Sequence, residues 1–148
     1  MDRDFDLDRF LRQPLIAHLA TASPHGPRDS PVWFLWEEGA LWLVGNDRDS
    51  FPKRLRADER CAIGVVEFDV ERGILRHVGL RGVATVAPLD RSRLWRLLGR
   101  YLGDDEASWN PRFRADVIDR LTLMVRFEPR SVVARDQSYF GRSSHGRR

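Results

Sequence analysis

A polar segment followed by cations is the part of the sequence best suited to bind an anion. Residues 46–50 are rich in helix-capping types, and residues 51–56 have a proline early, as the first turn of a helix commonly does. The start of such a helix presents backbone N–H groups beside Ser50, Lys53 and Arg54. A hydroxyl, two cations and a helix N-terminus together favour a phosphate ligand. Taken alone, these residues slightly favour a capped surface helix whose basic face is solvated.

Aromatic residues are concentrated on the two predicted strands that precede this segment. Residues 31–36 read Pro-Val-Trp-Phe-Leu-Trp, and Trp42 lies on the next strand. Successive side chains of a strand face opposite sides, so Trp33 and Phe34 cannot both enter one core. We therefore expect at least one aromatic on an outer sheet face, where it would serve a subunit interface or a platform for a flat cofactor ring.

Other kinds of reactive site have little support. The four histidines lie on separate predicted elements without acidic partners at ligand spacing, and Cys61 is the single cysteine. Cys61 falls in an apolar run and is expected to be a small core residue. No nucleophile-elbow, Walker or dinucleotide glycine pattern is present. Metal-assisted and nucleophilic hydrolysis are not expected, no metal site is predicted, and no catalytic acid or base stands out.

The spacing of apolar residues predicts six strands and four helices in one mainly β domain with flanking helices. Helices are expected at 5–12, 51–56, 90–102 and 111–118, and strands at 15–22, 30–36, 41–45, 61–69, 76–87 and 121–127, with a last short piece at 131–134. The first three strands read as an antiparallel meander, and Gly79 and Gly82 predict a bend or bulge. Six strands with interrupting helices favour a small closed or half-closed barrel.

Composition and charge limit the partners. The formal net charge of the 148 residues is +3, and the tail 141–148 carries Arg142, Arg147 and Arg148, so the other 140 residues are formally neutral. We expect residues 1–140 to form the domain and the basic tail to be disordered. Nucleic-acid binding is not expected, because it needs cations gathered on one face. No apolar run is long enough to span a bilayer and the N-terminus does not read as a secretory signal, so a cytoplasmic location is expected.

Taken in order, these features resemble the pyridoxamine 5'-phosphate oxidase-like split β-barrels. The resemblance extends over residues 5–134 and rests on the opening helix and first strand, residues 26–34, residues 39–43, the segment from Ser50 to Lys53, and residues 81–86. It implies a six-stranded antiparallel split β-barrel that forms a homodimer and binds FMN at the subunit interface.

The resemblance also implies a set of cofactor-binding residues. Those expected to line the flavin ring and the ribityl chain are Arg28, Ser30, Val32 and Trp33. Gly45 and Asn46 would lie near the ring or chain, while Ser50, Lys53 and Arg54 would hold the phosphate. Trp109 would reach across the dimer.

The sequence departs from the family pattern at two places. The family's phosphate motif is commonly Ser-Arg-Lys, whereas the segment from Ser50 to Lys53 is one residue longer. Residues 135–141 also lack the Trp- and Arg-containing end that binds the phosphate of pyridoxamine phosphate, so vitamin B6 oxidation is not expected. The leading hypothesis is an FMN-binding oxidoreductase of open substrate. The alternatives are the deazaflavin F420 as cofactor, a non-catalytic dimeric flavin-binding protein, and a nucleic-acid binder that uses the basic tail.

Overall fold

A computed structural model describes residues 2–113 and 118–139 of the chain. This part contains eight β-strands, three α-helices and two short 3-10 helices at Glu106–Ser108 and Pro111–Phe113. In chain order the main elements are β1 (Asp2–Arg3), α1 (Leu7–Leu11), β2 (Ala17–Thr21), β3 (Arg28–Val32), β4 (Leu35–Glu37), β5 (Ala40–Gly45), α2 (Ser50–Ala57), β6 (Arg60–Asp69), β7 (Ile74–Pro88), α3 (Arg91–Leu102) and β8 (Leu123–Asp136).

The strands form one curled sheet whose two ends meet. Its order is β3-β2-β6-β7-β8-β5-β4, with the short β1 paired in parallel to β8 and every other pair antiparallel. β3 and β4 lie at opposite ends of this order, yet only Trp33 and Phe34 separate them along the chain. A flat sheet would place these strands about 29 Å apart at about 4.8 Å per neighbour, whereas three Cα steps reach about 11 Å at most. The sheet therefore curls into the predicted barrel.

The predicted meander and strand count are corrected at this closure. The sequence predicts one strand over 30–36 that pairs with both its neighbours. In the structure this predicted strand is two strands. β3 pairs with β2 at one end of the sheet, and β4 pairs with β5 at the other. A continuous period-2 pattern cannot reveal such a break, since Phe34 is buried on the inside of the barrel whether or not the strand continues.

Two long strands form the back of the barrel. β7 has 15 residues, and β8 joins the predicted sixth strand and the last short piece into one strand of 14 residues. Their pairing shifts register between Arg81 and Gly82, which confirms the predicted bulge. A Cβ on Gly82 would lie 2.0 Å from the Glu128 carbonyl oxygen, so this close strand approach requires glycine.

Apolar side chains form separate clusters inside and outside the barrel. α1 and α2 close its two ends and contribute Phe10, Leu11, Phe51 and Leu55 to the inner cluster. Along β7, α1 lies beside Ile74 and α2 beside Ala84, which places the two ends about 30 Å apart at roughly 3.3 Å per residue. α3 instead covers the outer face of β4 and β5.

The helix α3 is the predicted amphipathic helix, and it fastens the point where the barrel closes. The Asp90 carboxylate caps it by accepting hydrogen bonds from the backbone N–H groups of Ser92 and Arg93. Arg100 donates to the carbonyl oxygens of Leu11, Gln13 and Phe34, and the Tyr101 hydroxyl accepts from Phe34 N–H and donates to the Leu15 carbonyl. The link between β3 and β4 is therefore held from outside by α3.

Some predictions fall partly or wholly outside the described residues. Of the helix expected at 111–118, the described part shows the 3-10 helix Pro111–Phe113, and residues 114–117 are not described. The basic tail 141–148 is not described either, so its disorder stays a prediction. None of the helices in the described ranges has the length and apolar character needed to cross a membrane.

Candidate functional site

The helix α2 has an apolar side and a polar side. Phe51 and Leu55 are buried in the barrel core. Ser50, Lys53 and Arg54 stand at positions i, i+3 and i+4 and therefore share another side of the helix. The sequence folds this way because the apolar spacing of four residues places one stripe against the barrel end and leaves the polar stripe outside.

The first turn of α2 has no side-chain cap. Asp49 occupies the N-cap position, but its carboxylate makes no capping hydrogen bond. It accepts instead from the backbone N–H of Asn46 at 2.9 Å, while the Asn46 side-chain oxygen accepts from the N–H groups of Arg48 and Asp49. This reciprocal turn closes the loop between β5 and α2. It leaves the first N–H groups of α2 without the partner that an N-cap side chain commonly supplies.

Arg54 connects α2 to the hairpin of β2 and β3. Its Nε donates to the Thr21 hydroxyl at 2.7 Å, and its Nη2 donates to the Ser30 hydroxyl at 3.2 Å. Both partners are neutral, so the guanidinium keeps an uncompensated positive charge at this corner. By contrast, the side chains of Ser50 and Lys53 are exposed and have no hydrogen-bond or ion-pair partner among the described residues.

Thr21 is a member of this corner that the sequence analysis missed. It is 3% exposed, and among the described residues it is the one polar residue that is buried. A signal was present, since Ala17, Leu19 and Thr21 are the three inward positions of β2 and Thr21 is the polar one. A hydroxyl on the inward side of a strand needs a hydrogen-bond partner, and Arg54 supplies it.

The predicted residues of β3 and β5 lie around the same corner. In the hairpin of β2 and β3, Arg28 pairs with Thr21, Ser30 with Leu19, and Val32 with Ala17. The three β3 residues therefore lie on the inward-facing side of the hairpin. Arg28 is exposed, whereas Val32 packs against the barrel core.

Gly45 ends β5 with very little room around it. A Cβ there would come within 2.8 Å of an Asp49 carboxylate oxygen and 3.0 Å of the Phe51 ring. The turn into α2 therefore accounts for this glycine on packing grounds alone.

The expected aromatic platform is covered within the chain. Trp33 does face away from the barrel core, as predicted, but its ring stacks on Tyr101 at 4.3 Å and on Phe113 at 5.4 Å between centroids. Trp42 is 9% exposed and lies under the Arg93 guanidinium. The outward orientation expected of at least one aromatic is confirmed for Trp33. Residues of α3 contact both rings, and the role of Trp33 in an interface or a cofactor platform stays a prediction.

Trp109 lies away from the α2 corner. It is 5% exposed, and its indole Nε1 donates to the Gly103 carbonyl at 2.8 Å. Its ring packs beside Trp95 under the end of α3. Reaching across a dimer stays a prediction for this residue.

Comparison with known proteins finds similarity in structure. No protein-family model matches the chain, and no curated protein matches it by sequence. A conserved hypothetical protein, Rv2991, from Mycobacterium tuberculosis aligns with a TM-score of 0.70 and 22% identity over 91% of this chain and 87% of that one. A protein named F420 reductase aligns with a TM-score of 0.65 and 25% identity over 84% and 94%. An FAD-binding protein from Mesorhizobium loti aligns with a TM-score of 0.64 and 18% identity over 88% and 92%.

The fold is that of the pyridoxamine 5'-phosphate oxidase-like split barrels. This confirms the resemblance read from the sequence at the level of the fold. Within the split barrel, the structure brings Ser30 and Arg54 into contact and places Ser50 and Lys53 on the same side of α2. The binding role of each residue stays a prediction.

Proposed function

We propose that this split barrel binds the phosphate of a flavin-type cofactor at the first turn of α2 and acts as an oxidoreductase. The observation that carries the proposal is the uncapped start of α2 beside the unpartnered Ser50 hydroxyl and Lys53 ammonium. A phosphate satisfies backbone N–H groups, a hydroxyl and a cation together. The donor set of this corner therefore fits the group.

The two cations of α2 have different roles in this proposal. Lys53 is exposed and unpaired, so it is the cation that contacts the phosphate. Arg54 is a positioning residue, because its hydrogen bonds to Thr21 and Ser30 fix α2 against the hairpin. It also contributes positive potential. The longer spacing from Ser50 to Lys53 suits one helix face, since residues three apart are neighbours there.

The remaining predicted residues orient the cofactor beyond its phosphate. Arg28 and Val32 belong to β3, Gly45 ends β5, and Asn46 lies in the loop between β5 and α2. The cofactor would supply the redox chemistry, while the protein supplies position, electrostatics and restricted access. FMN is the cofactor we propose first, with the reducible substrate left open.

We also propose that the active form is a homodimer. The outer face of β6 and β8 is not covered by α3, and it exposes Val66 at 46%, Phe68 at 61% and Val133 at 38%. Gly64 and Gly79 lie opposite each other on this face and leave it shallow. Exposed apolar side chains that share one face of a sheet favour an interface. Sedimentation velocity should give a dimer that Phe68→Asp converts to monomer, and a monomeric wild type would contradict the proposal.

F420 is the second candidate cofactor. It is favoured by the alignment with the F420 reductase, at 25% identity over 84% of this chain. Both cofactors carry a phosphate, so the α2 corner by itself accepts either one. Parallel titrations with FMN and F420, followed by absorbance and fluorescence, distinguish the two.

The decisive experiment substitutes Lys53 and compares it with a control on the same helix. Lys53→Ala should weaken binding of the preferred cofactor by about 10–100-fold, the effect of losing a charge-assisted hydrogen bond of roughly 1.5–3 kcal/mol. Arg56→Ala removes an exposed cation in the last turn of α2, away from the uncapped first turn, and should change the affinity by less than about twofold.

Two results would overturn the proposal. One is a wild-type protein that takes up neither FMN nor F420. The other is equal affinity of Lys53→Ala and wild type. Catalysis is tested separately, by reducing the loaded protein with NAD(P)H and offering oxidised acceptors. Binding without any turnover would identify a flavin-binding protein that is not an enzyme.

A further inference from the structure

A cavity lies at the opposite end of the barrel from α2. It has a volume of about 570 Å³ and is bordered by α1, the turn between β6 and β7, and the end of β8. This volume lies within the range of about 300–1,000 Å³ that small-molecule sites occupy. The proposed cofactor phosphate uses none of its lining residues, so the cavity is independent of the proposed function.

The charged groups of this cavity balance. Three arginines and three carboxylates line it, so the lining is formally neutral. Arg76 is paired with two carboxylates, because its Nη1 donates to Glu67 at 3.0 Å and its Nε donates to Asp136 at 3.2 Å. Arg9 differs, since its guanidinium has no hydrogen-bond or ion-pair partner in the described part of the chain. Arg72 forms an ion pair at 3.8 Å with Asp69, which does not line the cavity. Arg9 is therefore the lining cation without a partner among the described residues.

Those carboxylates keep acceptor capacity. Asp6 uses Oδ1 to accept the backbone N–H of Arg9, and Glu67 uses Oε1 to accept from Arg76. The second oxygen of each group remains available, since an ionised carboxylate has about four lone-pair positions. A ligand ammonium can use these oxygens while a ligand anion uses Arg9.

An apolar wall completes the site. The rings of Phe5 and Phe10 stack with their centroids 4.9 Å apart and their planes inclined at 25°. Ile74 is 7% exposed beside them. Such a wall suits a flat or aliphatic ligand body.

We propose that this cavity binds a small zwitterion with an aromatic or apolar body, the chemistry of an aromatic amino acid. Its carboxylate pairs with Arg9, its ammonium is accepted by Asp6 and Glu67, and its side chain lies against Phe5 and Phe10. A ligand with a single charge gains less, because the neutral lining offers it no net attraction and leaves one of the available groups unmatched.

L-Phenylalanine is the probe, titrated into the isotope-labelled full chain and followed by amide NMR. We expect saturable shifts confined to the amides of residues 5–13, 67–76 and 136. Phenethylamine lacks the carboxylate, 3-phenylpropanoate lacks the ammonium and glycine lacks the ring. Each should bind at least about tenfold more weakly, as expected for the loss of one charge-assisted hydrogen bond or of the apolar contact.

The matched variants are Arg9→Gln and Arg12→Gln. Both change an exposed arginine near α1, but Arg12 does not line the cavity. Arg9→Gln should weaken binding at least about fivefold, and Arg12→Gln should leave it within about twofold. The proposal is overturned if phenylalanine produces no saturable shifts or shifts elsewhere, if either single-charge analogue binds as well, or if the two variants behave alike. None of these results bears on cofactor binding at α2.

Discussion

The two ends of the barrel each hold an arginine in place, but with different partners. At the α2 end, Arg54 donates to two hydroxyls, those of Thr21 and Ser30. At the α1 end, Arg76 donates to two carboxylates, those of Glu67 and Asp136. The first arrangement fixes a helix and leaves a positive charge available. The second joins β7 to β6 and β8 and neutralises the charge of Arg76 with two carboxylates. The α2 end therefore has the potential better suited to a phosphate.

The largest expected effect is on the free energy of unfolding, when the arginine at each end is replaced by methionine in separate variants. Arg76→Met leaves two carboxylates, 19% and 31% exposed, without their cation. Loss of one partner of a buried ion pair costs about 3–5 kcal/mol, and partial exposure reduces this to about 2–3 kcal/mol. Arg54→Met leaves two neutral hydroxyls and should cost only about 1–2 kcal/mol.

Urea unfolding followed by circular dichroism measures both values. Glu67→Gln in the Arg76→Met background should recover part of the loss, because it removes one uncompensated charge. If Arg54→Met is the more destabilising of the two, the contrast between neutral and charged partners is wrong.

A smaller effect is expected from Thr21→Val, which removes the buried hydroxyl and keeps the shape. The Arg54 Nε–H then loses its partner, at a cost of about 1 kcal/mol in the free energy of unfolding. In a double-mutant cycle, the variant that carries both Thr21→Val and Arg54→Met should lose less free energy of unfolding than the sum of the two single losses. The reason is that both changes remove the same hydrogen bond. Strict additivity would show that the contact contributes nothing to stability.

Acid should loosen the α1 end. The hydrogen bonds from Ser138, and then the neighbouring Arg76, hold the pKa of Asp136 below its ordinary value of 3.8. A depressed folded-state pKa contributes stability above the unfolded value and loses it as the pH falls through the folded value. Amide hydrogen exchange around β7 and β8 should therefore accelerate below about pH 4 more in wild type than in Asp136→Asn. Equal acid sensitivity of the two proteins would exclude Asp136 as the cause.

The smallest effect concerns Cys61, which pairs with Thr21 at the α2 end. Burial, with a smaller contribution from Asp58, raises the pKa of its thiol to about 12. The thiol is thus protonated at neutral pH and should react slowly with iodoacetamide.

Because the folded pKa of Cys61 exceeds the ordinary 9.0, the stability contributed by this group is complete below pH 9 and is lost as the pH rises towards 12. Arg54→Met should speed alkylation, and an unchanged rate would mean that Arg54 does not keep this end closed.

Local patterns were sufficient to predict most elements of the fold. Asp90 and the leucines of α3 identified a capped amphipathic helix, and Gly82 identified a bulge, because capping, helical spacing and close strand approach depend on a few neighbouring residues. The polar side of α2 was predictable for the same reason. The break between β3 and β4 was not, since it arises because β2 pairs with β6 and β5 pairs with β8, which carries the two hairpins to opposite ends of the sheet.

The sequence by itself determined a mainly β barrel with a helix that can present Ser50, Lys53 and Arg54 on one side. Only the tertiary structure decided how these residues are used. It tied Arg54 to Thr21 and Ser30 and left Lys53 unpaired. It also covered Trp33 with α3. The physical reason is that a residue's type fixes what it can bind, whereas its free bonding capacity depends on partners 24 to 68 positions away in the chain.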